Sequence, residues 1–194
     1  MGNIQGWGGP ISLTWIQSRY KLQLQILQRM RDLGMTPVLS AFAGHVPEAF
    51  VKAVPSANVS RSSDWCGFPP PYGSVYLLES TDPHFQTIGA TYIKVQQEIY
   101  GTDHIYNCDT FNEMDPRSND PVYLRASSRA VYAAMAAADP DAVWLMQGWL
   151  FRNAAGFWKP VQIQAYLGGV PDNRMWLLDL RYAGVTERNN NREN

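Results

Sequence analysis

The 194-residue sequence contains little cysteine and histidine, no excess of basic charge and no long apolar run. With 16 Lys and Arg against 17 Asp and Glu, it lacks the basic surface that nucleic-acid binding requires. Apolar runs such as 133–138 are far too short to cross a bilayer, so we expect no membrane span. The two cysteines, Cys66 and Cys108, exclude a disulfide framework; one disulfide or two free thiols both fit, and free thiols are favoured.

The short motifs of several enzyme classes are missing as well. The sequence has no phosphate-binding loop, dinucleotide fingerprint, zinc-protease motif or serine-hydrolase elbow. Its three histidines, His45, His84 and His104, do not have the spacing of metal ligands. We therefore expect neither a cofactor nor a metal. Residues 1–10 lack the basic and apolar regions of a secretory signal, so we expect no signal peptide.

Hydrophobic residues make up 45% of the chain, and their spacing alternates between helical and strand patterns. Helices are expected at residues 13–33, 47–54, 83–100, 121–139 and 160–167. Strands are expected at 36–42, 103–109, 142–147 and 175–180, and long loops at 55–74 and 148–159. Helical spacing predicts that the core-facing side chains of the 83–100 helix are Ile88, Tyr92, Val95 and Ile99.

This alternation is typical of parallel βαβ units. Four such strands fit a small doubly wound domain or half of a (β/α)₈ barrel, which needs about 250 residues. The segments after the strands are longer and contain unusual residues, such as Trp65, Glu113 and Trp149. Most segments before the strands are short and contain no such residues. Because barrel enzymes carry their chemistry at the carboxyl ends of the strands, we predict an α/β fold, a partial (β/α)₈ TIM barrel of about four βα units.

The sharpest candidate for chemistry is the pair Asn112-Glu113, just after the strand expected at 103–109. A carboxylic acid held there beside an aromatic residue can serve as a general acid, and Asn112 can hydrogen-bond a hydroxyl near the reacting carbon. The alternative is that Glu113 is an exposed loop acid and Asn112 a turn residue. His45 also follows a strand and either contacts a ligand or is satisfied by backbone.

Aromatic residues and one sequon stand out in the loops. Trp65, Trp149 and Trp158 follow strands, and Trp7 lies in a glycine-rich segment. Each can be a packing anchor or a platform for the flat face of a sugar ring. Asn58 begins an Asn-x-Ser sequon, a motif with frequent chance matches, in a segment expected to be exposed.

Six stretches together resemble the α-N-acetylglucosaminidase family, the lysosomal exo-glycosidases of heparan sulfate breakdown. They are MGNIQGWGGP at 1–10, GMTPVL at 34–39, AFAGHVPEA at 41–49, GTDHIY at 101–106, DTFNEM at 109–114 and VWLMQGWLF at 143–151. The resemblance extends from residue 1 to residue 180. It implies a (β/α)₈ catalytic barrel and a retaining mechanism, with one carboxyl as acid/base and a second as nucleophile.

The resemblance also implies roles for individual residues. Glu113 matches the acid/base, and Asn58 matches a glycosylated position. The residues that match the sugar pocket are Asn112, Trp65, Trp149, Met1 and Leu180. The implied substrate is a glycan with terminal α-linked N-acetylglucosamine, and the implied location is the lysosome, by the secretory route.

We expect the sequence to depart from the family after residue 180. No residue here matches the nucleophilic Glu, and residues 181–194 have no hydrophobic period, so we expect a disordered tail. Residues 1–180 are therefore interpreted as part of a barrel domain, in a chain that is a fragment of a longer protein. The alternative is an inactive product that binds sugar or associates with the full-length enzyme, and exposed barrel edges favour self-association.

Overall fold

The computed structural model describes residues 10–62, 64–69 and 72–179. Its helices are α1 (Leu13–Asp32), α2 (Glu48–Ala53), α3 (Pro83–Tyr100), α4 (Pro121–Ala136), α5 (Trp149–Asn153) and α6 (Pro160–Leu167). Its strands are β1 (Leu39–Ser40), β2 (His45–Val46), β3 (Val59–Arg61), β4 (Tyr76–Leu78), β5 (Ile105–Asn107), β6 (Val143–Gln147) and β7 (Met175–Leu178). Met1, Trp7, Leu180 and the expected tail at 181–194 lie outside the described residues.

Four strands form a parallel sheet in the order β1-β5-β6-β7. A row of paired residues crosses it, with Tyr106 of β5 between Leu39 and Trp144, and Trp144 next to Met175. Each crossover carries a helix, and the strands follow one another across the sheet in chain order. A doubly wound sheet would reverse that order at a switch point, so the arrangement confirms the partial TIM barrel.

A second, antiparallel sheet of three strands lies between β1 and α3 in the chain, with the order β2-β4-β3. The expectation of a plain loop at 55–74 is therefore wrong, because Val59 to Arg61 pair with Leu78 to Tyr76. These strands are only two or three residues long. Strands so short leave no period in the sequence, and a partner distant in the chain supplies their hydrogen bonds. The loop expected at 148–159 likewise contains helix α5.

The helix ends follow the local chemistry of the sequence. Asp82 caps α3 by accepting a hydrogen bond from the His84 N–H, and Pro83 occupies the first turn. Gly101, at φ 75°, ends the same helix in the left-handed region that glycine tolerates best. Asp120 caps α4 in the same way, before Pro121. Both helix starts agree with the sequence analysis.

The face that α3 buries differs from the one that hydrophobic spacing predicted. The buried residues are Phe85, Gly89, Ile93 and Gln96. Of the four predicted residues, Ile88 is partly buried and packs against the core, whereas Tyr92, Val95 and Ile99 are each at least 40% exposed. The reason is the contact with α4. A Cβ atom added to Gly89 would lie 2.9 Å from the Ala134 Cβ, so the helices approach through their smallest residues.

Helix α1 is held mainly at its carboxyl end. Leu27 is its only buried residue, and Arg31 donates to both oxygens of Asp103, at 3.2 and 2.6 Å. Leu22 and Ile26, although apolar and at helical spacing, are each 42% exposed. No helix within the described residues is both long enough and apolar enough to cross a membrane.

Asp139 is a buried carboxylate at the amino-terminal edge of the parallel sheet, 3% exposed. It accepts hydrogen bonds from the Tyr106 hydroxyl at 2.7 Å, the Thr102 hydroxyl at 3.2 Å and the Asp141 N–H at 3.1 Å, and the His104 Nδ1 lies 2.9 Å away. Burial opposes its charge, but these hydrogen bonds outweigh burial and lower the pKa of Asp139. The carboxylate therefore joins β5 to the turn before β6.

We expect Asp139→Asn to lower the free energy of unfolding by about 2–3 kcal/mol, because charged acceptors make the stronger hydrogen bonds. Asp141→Asn is the control; its side chain is 73% exposed, and a change of no more than about 0.5 kcal/mol is expected there. Chemical denaturation at pH 7 measures both values. Equal losses in the two variants would contradict this role for Asp139.

Asp139 should also make the stability of the protein depend on pH. Its folded-state pKa lies below the ordinary value, so its stabilisation is complete above that ordinary pKa. It is lost as the pH falls below about 4 and approaches the folded-state pKa. Asp139→Asn should therefore lose less stability than the wild type over that range.

Candidate active site

The candidate site begins where β5 ends. The Asp109 carboxylate accepts from the Gln147 N–H at 3.0 Å and from the Asn107 side-chain amide at 3.1 Å. One residue earlier, the Cys108 carbonyl accepts from the Trp144 indole N–H at 2.7 Å. These bonds join the ends of β5 and β6, so the following loop leaves the sheet from a fixed point.

The loop has a buried base and an exposed tip. Cys108, Thr110 and Phe111 are at most 5% exposed, whereas Asn112 and Glu113 are exposed. Burial raises the pKa of the Cys108 thiol to about 12, so this free cysteine is inert near neutral pH. The side chains of this loop that a ligand can reach are therefore those of Asn112 and Glu113 at the tip.

Glu113 has an unusual backbone conformation, with φ at 55°. A residue with a side chain pays about 1–3 kcal/mol for the left-handed region, and such conformations cluster at functional sites. Weak turn bonds surround it: the Met114 N–H donates to Phe111 at 3.4 Å and the Asn112 N–H to Asp109 at 3.3 Å. The conformation turns the chain sharply, directly beyond the buried base.

The indole N–H of Trp65 donates to the Glu113 carboxylate. Trp65 lies in a short 3₁₀ turn, Trp65–Gly67, in the segment that follows β3. Its backbone N–H donates to the Gly73 carbonyl at 2.9 Å, and its ring stacks on Phe68 at 6.0 Å with a 9° interplanar angle. The structure thus brings together Trp65 and Glu113, which lie 48 positions apart in the chain.

Two clefts are lined in part by Glu113. The first, which we name the Trp65 cleft, has a volume of about 260 Å³. Its lining residues are His45, Ser62, Trp65, Tyr72, Gly73, Val75, Asn112, Glu113 and Met114. The second, the Asp115 cleft, has about 210 Å³ and is lined by Phe111, Glu113, Met114, Asp115, Leu150, Asn153 and Ala154. Larger grooves of about 640 and 520 Å³ lie against α3 and α4, where none of the candidate residues is found.

His45 lines the Trp65 cleft, although it lies in strand β2 rather than in a loop as expected. Desolvation lowers the pKa of its imidazole, so His45 is neutral at pH 7. Tyr72 and Asp115 also line the clefts, and the sequence analysis did not propose either of them. The only available signal for Asp115 was its position two residues after Glu113.

The other predicted residues have different surroundings. Trp149 begins α5 directly after β6 and is 36% exposed, but it lines neither cleft. Trp158 is 3% exposed, and its ring centroid lies 5.1 to 5.3 Å from those of Phe151, Phe157 and Tyr166. It is therefore a packing anchor and not a platform for a sugar ring. Met1 and Leu180 lie outside the described residues.

Asn58 is exposed just before β3. Its backbone N–H donates to Asp82 at 2.7 Å, and its side-chain oxygen accepts from Arg117 at 3.4 Å. Arg117 also lies 3.5 Å from the buried carboxylate of Glu79. The sequon is therefore at the surface and in a defined conformation.

Among the described residues, one group has the composition of a metal site: His104, Asp139 and Asp141. It lies at the amino-terminal edge of the sheet, away from Glu113. The oxygens of Asp139 already accept hydrogen bonds from Tyr106, Thr102 and the Asp141 backbone. Because its oxygens already accept these hydrogen bonds, we interpret the Asp139 carboxylate as a structural group of the fold.

Comparison with known proteins agrees with this geometry. The family model described as the α-N-acetylglucosaminidase (NAGLU) TIM-barrel domain matches residues 1–193. Human α-N-acetylglucosaminidase is 49% identical over 180 residues, which are 93% of this chain and 24% of the human protein. The chain thus spans about a quarter of the length of that relative.

Solved structures give the same result. The family 89 glycoside hydrolase from Clostridium perfringens in complex with 2-acetamido-1,2-dideoxynojirmycin has a TM-score of 0.74 and 25% identity. Its complex with PUGNAc has a TM-score of 0.74 and 26% identity. Each covers 93% of this chain and 20% of the bacterial one. With the half barrel and the family match in agreement, this chain belongs to the α-N-acetylglucosaminidase family of glycoside hydrolases.

Proposed function

We propose that this chain carries the acid/base and part of the sugar pocket of a retaining α-N-acetylglucosaminidase. Its substrate is the terminal N-acetyl-α-D-glucosamine of heparan sulfate-type glycans. The observation that carries the proposal is Glu113 itself: a strained residue at the carboxyl end of a barrel strand, with a carboxylate that accepts from Trp65 and borders two clefts. The name of the 49% identical human relative, α-N-acetylglucosaminidase, supports the terminal sugar of this substrate.

In the proposed reaction Glu113 acts twice. As an acid it protonates the glycosidic oxygen when the bond to the anomeric carbon breaks, and as a base it later takes a proton from the attacking water. A retaining mechanism needs a second carboxyl about 5–5.5 Å away as nucleophile. We assign that role to no residue of this chain: Asp109, the acid nearest in sequence on the strand side, is occupied by Gln147 and Asn107.

The terminal sugar is assigned to the Trp65 cleft. The exposed ring of Trp65, Tyr72 beside it and the amide of Asn112 offer an apolar surface and hydrogen bonds in one small space. Such a mixture suits a sugar ring, which has apolar faces and polar edges. Trp149, Met1 and Leu180 are proposed as further sugar contacts, on the resemblance to the family alone.

We expect Trp65→Ala to weaken the binding of 2-acetamido-1,2-dideoxynojirmycin to the chain by about tenfold or more, because ring contact and the bond to Glu113 are both lost. Trp65→Phe keeps a ring without the N–H and should give an intermediate loss. The matched control is Trp15→Ala. Trp15 is 49% exposed and Trp65 is 52% exposed, but Trp15 lies on α1 and does not line the Trp65 cleft. Isothermal titration calorimetry measures the three values, and equal losses for Trp15 and Trp65 would contradict the assignment.

We expect the chain by itself to give no Glu113-dependent release of 4-nitrophenol from its N-acetyl-α-glucosaminide, because the covalent step lacks a nucleophile. Glu113→Gln should therefore equal the wild type. Turnover that disappears in Glu113→Gln would mean that the nucleophile lies within these residues.

The acid/base role is tested in a longer family protein that carries the same segment. There Glu113→Gln should lower kcat/KM about 10²- to 10⁴-fold for a sugar leaving group. The loss should be much smaller for 2,4-dinitrophenol, which departs without protonation. An equal loss for both leaving groups would argue against general acid catalysis by Glu113.

We further propose that Asn58 is glycosylated and that the protein reaches the lysosome by the secretory route. The exposed position of Asn58 supports glycosylation, because the transferase must reach the side-chain amide. Arg117 contacts the side-chain oxygen, which an N-linked glycan leaves in place.

A second candidate function is association, either with itself or with a longer family member. Within the described residues, β1 and β7 each pair along one side only. On β7, Trp176, Leu177 and Leu178 are 53%, 44% and 41% exposed, and unpaired apolar edges favour pairing with another chain.

We expect the chain to elute in size-exclusion chromatography at an apparent mass that rises with concentration. Leu177→Lys on the β7 edge should shift elution toward the monomer, because charge on an edge strand opposes pairing. Val122→Lys, at an equally apolar position that is 75% exposed on α4, is the control. A sharp monomer peak at every concentration would contradict association.

A further inference from the structure

A buried carboxylate outside the two clefts contacts the far end of the loop that carries Glu113. This loop, residues 108–120, joins β5 to α4, and Glu79 lies directly after β4 and is 4% exposed. We propose that Glu79 and Arg117 form a clamp that holds the loop in the conformation in which Glu113 can protonate the leaving group. Both are positioning residues, and the proposal rests on the acid/base role proposed for Glu113.

The Glu79 carboxylate joins several parts of the fold. Its Oε2 accepts a hydrogen bond from the Tyr123 hydroxyl of α4 at 2.9 Å. Its Oε1 accepts from the Ser60 hydroxyl of β3 at 3.4 Å and lies 3.5 Å from a guanidinium nitrogen of Arg117. Burial and the nearby Glu79 charge raise the pKa of the Tyr123 hydroxyl, which therefore stays protonated and donates. A single carboxylate at the end of β4 thus contacts β3, α4 and the loop.

Arg117 supplies the positive charge that this buried carboxylate needs. A carboxylate removed from water stays charged only where a cation and hydrogen-bond donors compensate for the lost solvation. The same guanidinium donates to the Asn58 side-chain oxygen at 3.4 Å and lies 5.6 Å from the centre of the Tyr123 ring, within range of a cation–π contact. These three contacts fix the Arg117 side chain, although it is 49% exposed.

Glu113 lies midway between this clamp and the anchor at the start of the loop. Asp109, four residues before Glu113, is bonded to the end of β6, and Arg117 follows Glu113 by the same four residues. Pro116, next to Arg117, is buried. The loop is therefore held on both sides of its exposed tip.

The backbone of Glu113 needs support of this kind. Its φ of 55° is unfavourable for a residue with a side chain, and such a conformation persists only where surrounding contacts enforce it. The turn bonds beside it, at 3.3 and 3.4 Å, are too long to do so alone. Release of the Arg117 end would let the turn relax, and the Glu113 carboxylate would move away from the indole N–H of Trp65.

The contact between Trp65 and Glu113 gives a readout on the 194-residue chain itself. Two-dimensional proton–nitrogen NMR detects the indole N–H signal of Trp65, which is assigned by its loss in Trp65→Phe. Arg117→Met removes the charge and keeps an extended side chain, and it should shift this signal toward its position in Glu113→Ala. Arg117→Lys keeps a cation and should restore most of the wild-type position. Glu79→Gln should shift the signal in the same direction as Arg117→Met, because Arg117 then loses its charged partner.

Two controls separate the clamp from a general loss of stability. Arg31→Met breaks an ion pair of the same kind, with Asp103 at 2.6 Å, but Arg31 lies on α1. Gln162→Ala removes the side chain that donates to the Asn119 carbonyl at 3.1 Å, a neutral bond at the same end of the loop. Both variants should leave the Trp65 signal unchanged. A shift in either control equal to that of Arg117→Met would overturn the clamp.

The catalytic consequence is measured in a longer family protein that carries the same segment. There Arg117→Met should lower kcat/KM about 10- to 100-fold for a sugar leaving group, the loss that a misplaced catalytic group causes. The loss should be less than about threefold for 2,4-dinitrophenol, which departs without protonation. Arg117→Lys should recover most of the rate. An equal loss for both leaving groups, or no loss for either, would overturn the positioning role.

These results separate the inference from the proposed function. If Glu113→Gln depends on the leaving group but Arg117→Met changes neither the Trp65 signal nor that dependence, the clamp is wrong and the acid/base role stands. If Arg117→Met shifts the signal but Glu113→Gln loses equally with both leaving groups, the acid/base role is wrong, and the inference fails with it.

Discussion

The site depends on how strand β5 ends. After Asn107 the backbone pairing with β6 is replaced by side chains, because the Asp109 carboxylate accepts from the Gln147 N–H and from the Asn107 amide. The Asn107 amide also donates to the Leu145 carbonyl at 3.1 Å. Asp109 therefore fixes two strand ends relative to each other, and Glu113, four residues later, takes its position from that junction.

The same junction explains why the loop has a buried base and an exposed tip. Backbone groups that leave a sheet must find other partners when they are buried. The Cys108 carbonyl finds the Trp144 indole, and Phe111 fills the space beside Tyr166. Since these contacts bury the first half of the loop, the turn to the surface is compressed into few residues, and Glu113 takes the left-handed conformation. Glycine tolerates that conformation better, but it has no carboxyl group.

Local chemistry made much of the fold predictable. Helix starts marked by Asp-Pro and stops marked by glycine depend on neighbours in the chain, so α3 was located correctly from Asp82 to Gly101. The parallel strands were located by their apolar runs, although each is shorter than expected. Chain-order pairing across the sheet was predicted with them, because sequential βαβ units allow few alternatives.

Features of the fold that depend on contacts between residues far apart in the chain were not predictable from the sequence. The buried face of α3 is set by Gly89 against Ala134, a close approach that hydrophobic spacing does not record. The antiparallel sheet needs pairing between β3 and β4, which lie in a segment rich in Pro, Ser and Gly. The bond from Trp65 to Glu113 crosses from that sheet to the barrel loop. Glu113 and Trp65 were identified as candidates by their positions after strands, but their contact required the fold.

The antiparallel sheet thereby explains how a half barrel can present a shaped pocket. Barrel loops alone would leave Glu113 at an open edge. Strands β2 and β3 flank β4, and His45 on β2 and Trp65 beyond β3 both reach the Trp65 cleft. This part of the Trp65 cleft is therefore built on hydrogen-bonded strands, whereas α5 lines the Asp115 cleft. Glu113 therefore borders two chemically different clefts, one with the aromatic side chains of Trp65 and Tyr72 and one with the polar side chains of Asp115 and Asn153.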